Sequence, residues 1–279
     1  MNAWFRRSAI FVLVLVEGGC SLWSRSLPPA EPPLKILVAP VTMEAPIKRS
    51  QQIYSFETPP SQETEPSIRA ELIQVVEVKA QEVLTQYLAE QPGFTVVPFT
   101  EARGLIRNLH LSGLKLDDGQ LQALGKEAGA DILVSARIGA YGSVPWKYWL
   151  TGLATQNVAE LIVLGLATGW NPIAIGVWFG TDVLLIDLPL WAGGAYIFGW
   201  AFRPVEIEVE AIQIDDCSGQ IWKKTEFVNL VPGKTLTQYP PEERKKKEVQ
   251  LAANLDHAMM NLAESAGKRL RKKPCPAID

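Results

Sequence analysis

Residues 118–140, DGQLQALGKEAGADILVSARIGA, decide the fold class. Residues 118–128 suit a short amphipathic helix, Gly129 ends it, and residues 130–140 form an apolar run of strand composition. A helix running through one glycine into a strand is the repeating step of an α/β layer. Upstream, residues 100–109 read as another short helix and 94–99 as a short strand, introduced by the helix stop Pro92-Gly93. Residues 67–91 read as a long helix with Ser67 as N-cap, because Ile68, Leu72, Val75, Val76 and Ala80 recur at three- and four-residue spacing. Residues 34–41 form an apolar run ending at Pro40, expected to be a buried strand, and residues 42–66, rich in Pro, Ser, Gln and Glu, read as a surface loop. Downstream, Val205, Ile207, Val209 and Ala211 alternate with Glu206, Glu208 and Glu210, which predicts a strand with one wet face. The alternation slips at Ile212, a bulge signal, and residues 215–219 are turn chemistry leading to a partner strand over 220–231. A last helix is expected over 240–273. The order gives an α/β (α+β) sandwich, a mixed β-sheet with helices packed on it.

Three stretches of this frame resemble the periplasmic lipoprotein superfamily that includes the TolB amino-terminal domain and the curli secretion channel lipoprotein. They are Leu34-Lys35-Ile36-Leu37-Val38-Ala39-Pro40, the run from Leu124 and Gly125 through Ala128-Gly129-Ala130-Asp131 to Ile138, and the turn Ile214-Asp215 followed by Ser218-Gly219-Gln220-Ile221. The resemblance covers about residues 34–270 apart from an apolar insert. It implies envelope scaffolding, complex assembly or export, and it brings no catalytic residues with it. The curli channel crosses its membrane with β-hairpins, whereas the insert in this chain does not alternate.

The insert, residues 148–202, holds no Lys or Arg, and its formal charges are Glu160, Asp182 and Asp187. Six of the nine Trp lie in or beside it. Residues 150–169 make about 30 Å of helix, the thickness of a bilayer core. Trp170-Asn171-Pro172 signals a turn, and residues 173–200 form a second apolar run, weakened at 187–189. In lipid every amide must be paired within its segment, so a helical hairpin is expected. Trp146, Trp149 and Trp200 would anchor its base at the interface and Trp170 its tip. Gly165 with Gly169, and Gly176 with Gly180, are small-xxx-small pairs that permit close helix contact. Glu160, Asp182 and Asp187 should face a partner helix, a water-filled lumen or headgroups. Burial against another subunit or within the chain's own core stays open beside insertion.

At the amino terminus, Arg6 and Arg7 precede the apolar run 9–16 and then Glu17-Gly18-Gly19-Cys20-Ser21. The apolar run is too short to span a membrane and reads as an export signal. Small residues directly before Cys20 resemble the lipobox of bacterial lipoproteins, which implies cleavage after residue 19 and lipidation of Cys20. By the same resemblance, Ser21 implies forwarding to the outer membrane, facing the periplasm. An ordinary secretory signal is the alternative. The chain then divides into a signal (1–19), a Pro-rich tether (20–33), the α/β domain (34–147 and 203–273) and the insert (148–202). Cys217 and Cys275 remain as an even pair for an oxidising compartment, where a disulfide is available to them.

Catalytic chemistry is not indicated. His110 and His257 have no Cys or acid at ligand spacing, so no metal is expected. Gly233-Lys234-Thr235 ends like a phosphate loop, but Val228 stands where the first Gly is needed, and the segment reads as a loop. The net charge of -3 carries no nucleic-acid signature. No cofactor or small-molecule substrate is indicated. The expected partners are membrane lipid, further copies of the chain and other envelope proteins. The expected role is a non-catalytic assembly or scaffold component; the alternative is an oligomeric outer-membrane pore whose hairpins line the channel.

Overall fold

The computed structural model describes residues 32–111, 116–143, 146–183, 196–197, 200–214, 219–231 and 233–271. Five residues, Leu34–Val38, all apolar but Lys35, form β1 at the heart of the sheet. It pairs in parallel with β3 (Phe94–Val96) on one side and with β4 (Ile132–Tyr141) on the other. Parallel neighbours need crossover connections. The helix α1 (Glu65–Ala89) supplies the first, and α2 (Phe99–Asn108) with α3 (Asp118–Glu127) supplies the second. Beyond β4 the sheet turns antiparallel, through β6 (Trp200–Gln213) to β7 (Gly219–Val231). A two-residue strand β2 (Thr42–Met43) adds to β4, and β5 (Tyr196–Ile197) adds to the start of β6. The final helices are α6 (Gly233–Leu236) and α7 (Lys247–Arg269). This is the mixed-sheet α/β fold expected.

Two cores result. On one face α1 and α7 cover most of the sheet's width. Leu84 and Leu88 of α1 and Leu251, Met259 and Leu262 of α7 close over Ile36, Ile132 and Ile207, each of these at most 1% exposed. On the other face α2 and α3 lay Ile106 and Leu124 against Leu37 and Leu133. Residues 36–38 of β1 and 132–134 of β4 are therefore buried from both sides, which is why both read as apolar there. Each such side chain contributes roughly 1.5–3 kcal/mol by leaving water.

Local chemistry fixes the ends. Asp117 caps α3 by accepting from Gln120 N–H at 2.8 Å, while Gln120 Oε1 accepts from Asp117 N–H at 3.0 Å. Helix α1 starts at Glu65, two residues before the cap expected at Ser67, because Pro66 fits the first turn. Ser67 Oγ instead donates back to Thr64 O at 2.8 Å. Residues 42–66 are not a loose surface loop. Beyond β2 they bury Ala45, Ser50 and Ile53, and the Glu65 carboxylate accepts from Ser50 N–H at 2.5 Å and Ser50 Oγ at 2.7 Å. Helix α7 begins at Lys247, later than residue 240, after a run of turns, and residues 233–236 make one helical turn, not a loop. The bulge expected at Ile212 is present, as a register shift between Ala211 and Ile212 where β6 meets β7.

Candidate functional site at the apolar hairpin

The chain leaves the sheet after β4 and forms α4 (Trp146–Thr168), a tip, and α5 (Pro172–Asp182). At the tip Gly169 and Trp170 both take left-handed backbone, with φ 60 and φ 61. Trp170 N–H donates to Gly165 O at 2.7 Å, closing the end of α4. Asn171 then caps α5, its side chain accepting from Ile173 N–H at 3.0 Å and Ala174 N–H at 3.3 Å, with Pro172 in the first turn.

Helix α4 contains the 19-residue stretch Leu150–Thr168, long and apolar enough to cross a membrane, with 6% of it buried. Its outward side chains include Val163 at 65% exposed and Leu166 at 72%, and α5 adds Ile173 at 78% and Trp178 at 65%. The polar side chains turn back on their own helix. Thr155, Asn157 and Thr168 donate to the carbonyls of Thr151, Leu153 and Leu164, each four residues back, at 2.7–2.8 Å. Thr181 Oγ1 does the same to Val177 O, and Gln156 Nε2 donates to Glu160 Oε1 at 2.7 Å. Glu160 and Asp182 are half-buried. By connectivity they stand about 12 and 15 Å back from the tip, so at similar depth.

The four glycines do different work. A Cβ on Gly165 would lie 2.7 Å from the ring of Trp170, so this glycine accommodates the tip indole folded back onto α4. Gly169 ends α4, and Gly176 and Gly180 would meet nothing within 4 Å among the described residues. Trp170 is 57% exposed at the tip and Trp146 and Trp149 open α4 at the base. Trp200 does not end a second helix; it opens β6, where it pairs with Ile197. The end of the apolar run is thus a small sheet extension, for which aromatic and β-branched residues are suited. Asp187, Cys20, Cys217 and Cys275 lie outside the described residues.

A second polar feature was only partly visible in the sequence. On the face that carries α2 and α3, a charged cluster lies across β4, β6 and β7. There Arg137, opposite Glu208 in register, pairs with Glu208 and lies 2.9 Å from Glu210, and Lys223 lies 2.9 and 2.6 Å from the same two carboxylates. Burial works against the charge on Arg137, but Glu210 and Glu208 outweigh it and hold the guanidinium above its ordinary pKa. Burial likewise raises Glu208, but the bonds from Lys223 and Arg137 hold it below the usual carboxylate range. Glu206, expected on the wet face, is 7% exposed and packs beside Gly139. Among the described residues no cluster of three metal-ligating side chains occurs.

No family description matches this chain, and no curated protein does. Three solved structures overlay on it loosely. Lipoprotein GNA1162 from Neisseria meningitidis aligns with 70% of this chain and 82% of its own, at 9% identity and TM-score 0.32. The hypothetical protein CT253 from Chlamydia trachomatis aligns with 83% and 96%, at 7% identity and TM-score 0.36. The LpoB C-terminal domain from Salmonella enterica aligns with 72% and 87%, at 9% identity and TM-score 0.30. Overlaps of this quality carry no argument about this chain.

Proposed function

We propose that this chain is a non-catalytic envelope lipoprotein that binds a membrane by inserting the α4–α5 hairpin and serves as an assembly component there, facing the periplasm. The observation that carries the reading is the 19-residue apolar stretch of α4 with 6% of it buried. Leaving its large side chains and those of α5 in water would cost on the order of 10 kcal/mol or more, which a bilayer removes. The polar side chains of the hairpin, bonded back to their own helices, suit a medium without water. Glu160 and Asp182 oppose insertion by roughly 2.5–3.5 kcal/mol each at the bilayer centre. Both are half-buried, which reduces that cost.

The test is fluorescence of full-length protein mixed with phosphatidylcholine vesicles whose acyl chains carry bromine, compared with a Trp178→Phe variant. Insertion predicts a blue shift and a quenched component that the variant lacks. Emission unchanged by vesicles, with protein extracted by alkaline carbonate, would reject the reading.

A further inference from the structure

At the base of the hairpin, Gly142 and Ser143 follow the end of β4, and Arg203 lies near the start of β6. These residues line one pocket together with Arg49, Gln51, Gln52 and Lys247. Three cations thus converge from a turn, a strand and the first residue of α7. Arg203 is 8% exposed. It sits where β6 shifts register between Phe202 and Val205, which turns its side chain off the ladder. Its Nε donates to the neutral Gln250 Oε1 at 3.0 Å, and Gln250 is held in turn by its own bond to Arg244 O at 2.7 Å. Among the described residues no salt bridge reaches Arg203.

Lys247 Nζ donates to Gln51 O at 2.6 Å, again a neutral partner. Two carboxylates stand near the three cations, and each is hydrogen-bonded to another group: Glu248 accepts from Ser55 N–H at 2.9 Å and Glu65 from Ser50 N–H and Oγ. Burial pulls both cations below their ordinary pKa; for Lys247 the charge of Arg203 adds to this and that of Glu248 offsets it only in part. The amino-terminal end of the 23-residue α7 adds its partial positive charge to the same spot. Gly142, at φ 81, lets the wall close, since a Cβ there would lie 3.0 Å from Gln52 O.

A buried guanidinium, a half-buried ammonium and a helix amino terminus are the donors that a phosphate group takes. We propose that this pocket binds a phosphate group, that of an anionic lipid headgroup at the surface the hairpin penetrates. The pocket itself stands on its own geometry; only the headgroup as source rests on the insertion reading. Chain connectivity places the pocket where the hairpin leaves the domain, which is headgroup depth for an inserted hairpin.

The experiment uses full-length protein in non-ionic detergent, titrated with inorganic phosphate at constant ionic strength. A second arm measures co-sedimentation with phosphatidylcholine vesicles with and without phosphatidylglycerol. Lys247→Gln and Arg49→Gln should each weaken phosphate binding about tenfold, the loss expected for one charge-assisted bond. Lys79→Gln, which removes the same charge from the exposed face of α1, should leave it unchanged. Lys247→Gln should also abolish the preference for phosphatidylglycerol while Trp178 is still quenched by brominated phosphatidylcholine. Phosphate binding lost in the variants with the lipid preference intact assigns the pocket to a soluble phosphate and rejects the headgroup. Equal phosphate binding in wild type, Lys247→Gln and Lys79→Gln overturns the site itself, whatever the hairpin does.

Discussion

Glu77 is a carboxylate placed where a neutral group would serve. Its Oε1 accepts from Met43 N–H at 2.7 Å and so holds β2 against α1. Burial pushes its pKa up, and the bond from Met43 offsets this only in part. A raised carboxyl binds its proton more readily folded than unfolded. Its penalty is therefore absent at low pH and grows as pH rises from the ordinary carboxylate range through the folded pKa. Glu77→Gln keeps the acceptor and removes the charge. Thermal unfolding should show equal midpoints for variant and wild type near pH 3 and a higher midpoint for the variant at pH 7. A lower midpoint at pH 7 would mean that the charge itself is used. Gly125 shows a different constraint: a Cβ there would lie 2.7 Å from Ile214 Cγ1, so α3 can lie flush on the sheet only without a side chain. Gly125→Ala should cost about 1–3 kcal/mol in denaturant unfolding. Combined with Ile214→Ala it should cost less than the sum of the two changes, because the added methyl fills the space vacated. Simple additivity would place the strain elsewhere. The glycine stood out in the sequence as part of the helix-to-strand run, but Ile214 as its neighbour did not, because a contact across 89 positions leaves no local trace.

At the scale of elements, what was legible followed local rules. The turn at Trp170-Asn171-Pro172, the short helix over 118–128 and the bulge at Ile212 all have their cause within a few residues. The return of the apolar run was not legible. Absence of charge marks burial or lipid equally for helix and strand, so residues 196–202 read as helix although two short strand segments pair there. Nor was Arg137 tied to Glu208, since that pairing depends on the register of β4 against β6. The same antiparallel pair makes the hairpin separable. Tyr141 faces Val205 in register, so the chain can pass from β4 to β6 through a tight turn. Replacing residues 144–200 with a short Gly/Ser turn should leave a cooperative thermal transition and, with Cys20 also removed, a domain soluble without detergent. Loss of that transition would make the hairpin part of the core.

For the molecule as a whole, the sequence pattern indicated a mixed sheet but not its order, in which β1 lies between β3 and β4. That order is settled by the two crossovers and the two cores, none of which a single segment contains. The envelope reading is a whole-chain matter too. With a lipid on Cys20 the protein would have two attachments to membranes, one ahead of the domain sequence and one inserted within it. Cys20→Ala should abolish incorporation of labelled palmitate and leave an uncleaved or mislocalised precursor. Labelling and processing like wild type would reject lipidation at this residue.

Two such attachments would also make the domain a link under tension. Force arriving along the tether enters the sheet at Leu34, the start of β1, and force from the hairpin enters at Tyr141, the end of β4. These strands are parallel neighbours, joined from Ile36–Ile132 to Val38–Val134. Pulled from opposite ends, they slide past each other, so the bonds between them are strained simultaneously and do not open in succession. So anchored, the domain would be strung like a lap joint, with its stiffest direction along the line between the two anchorages.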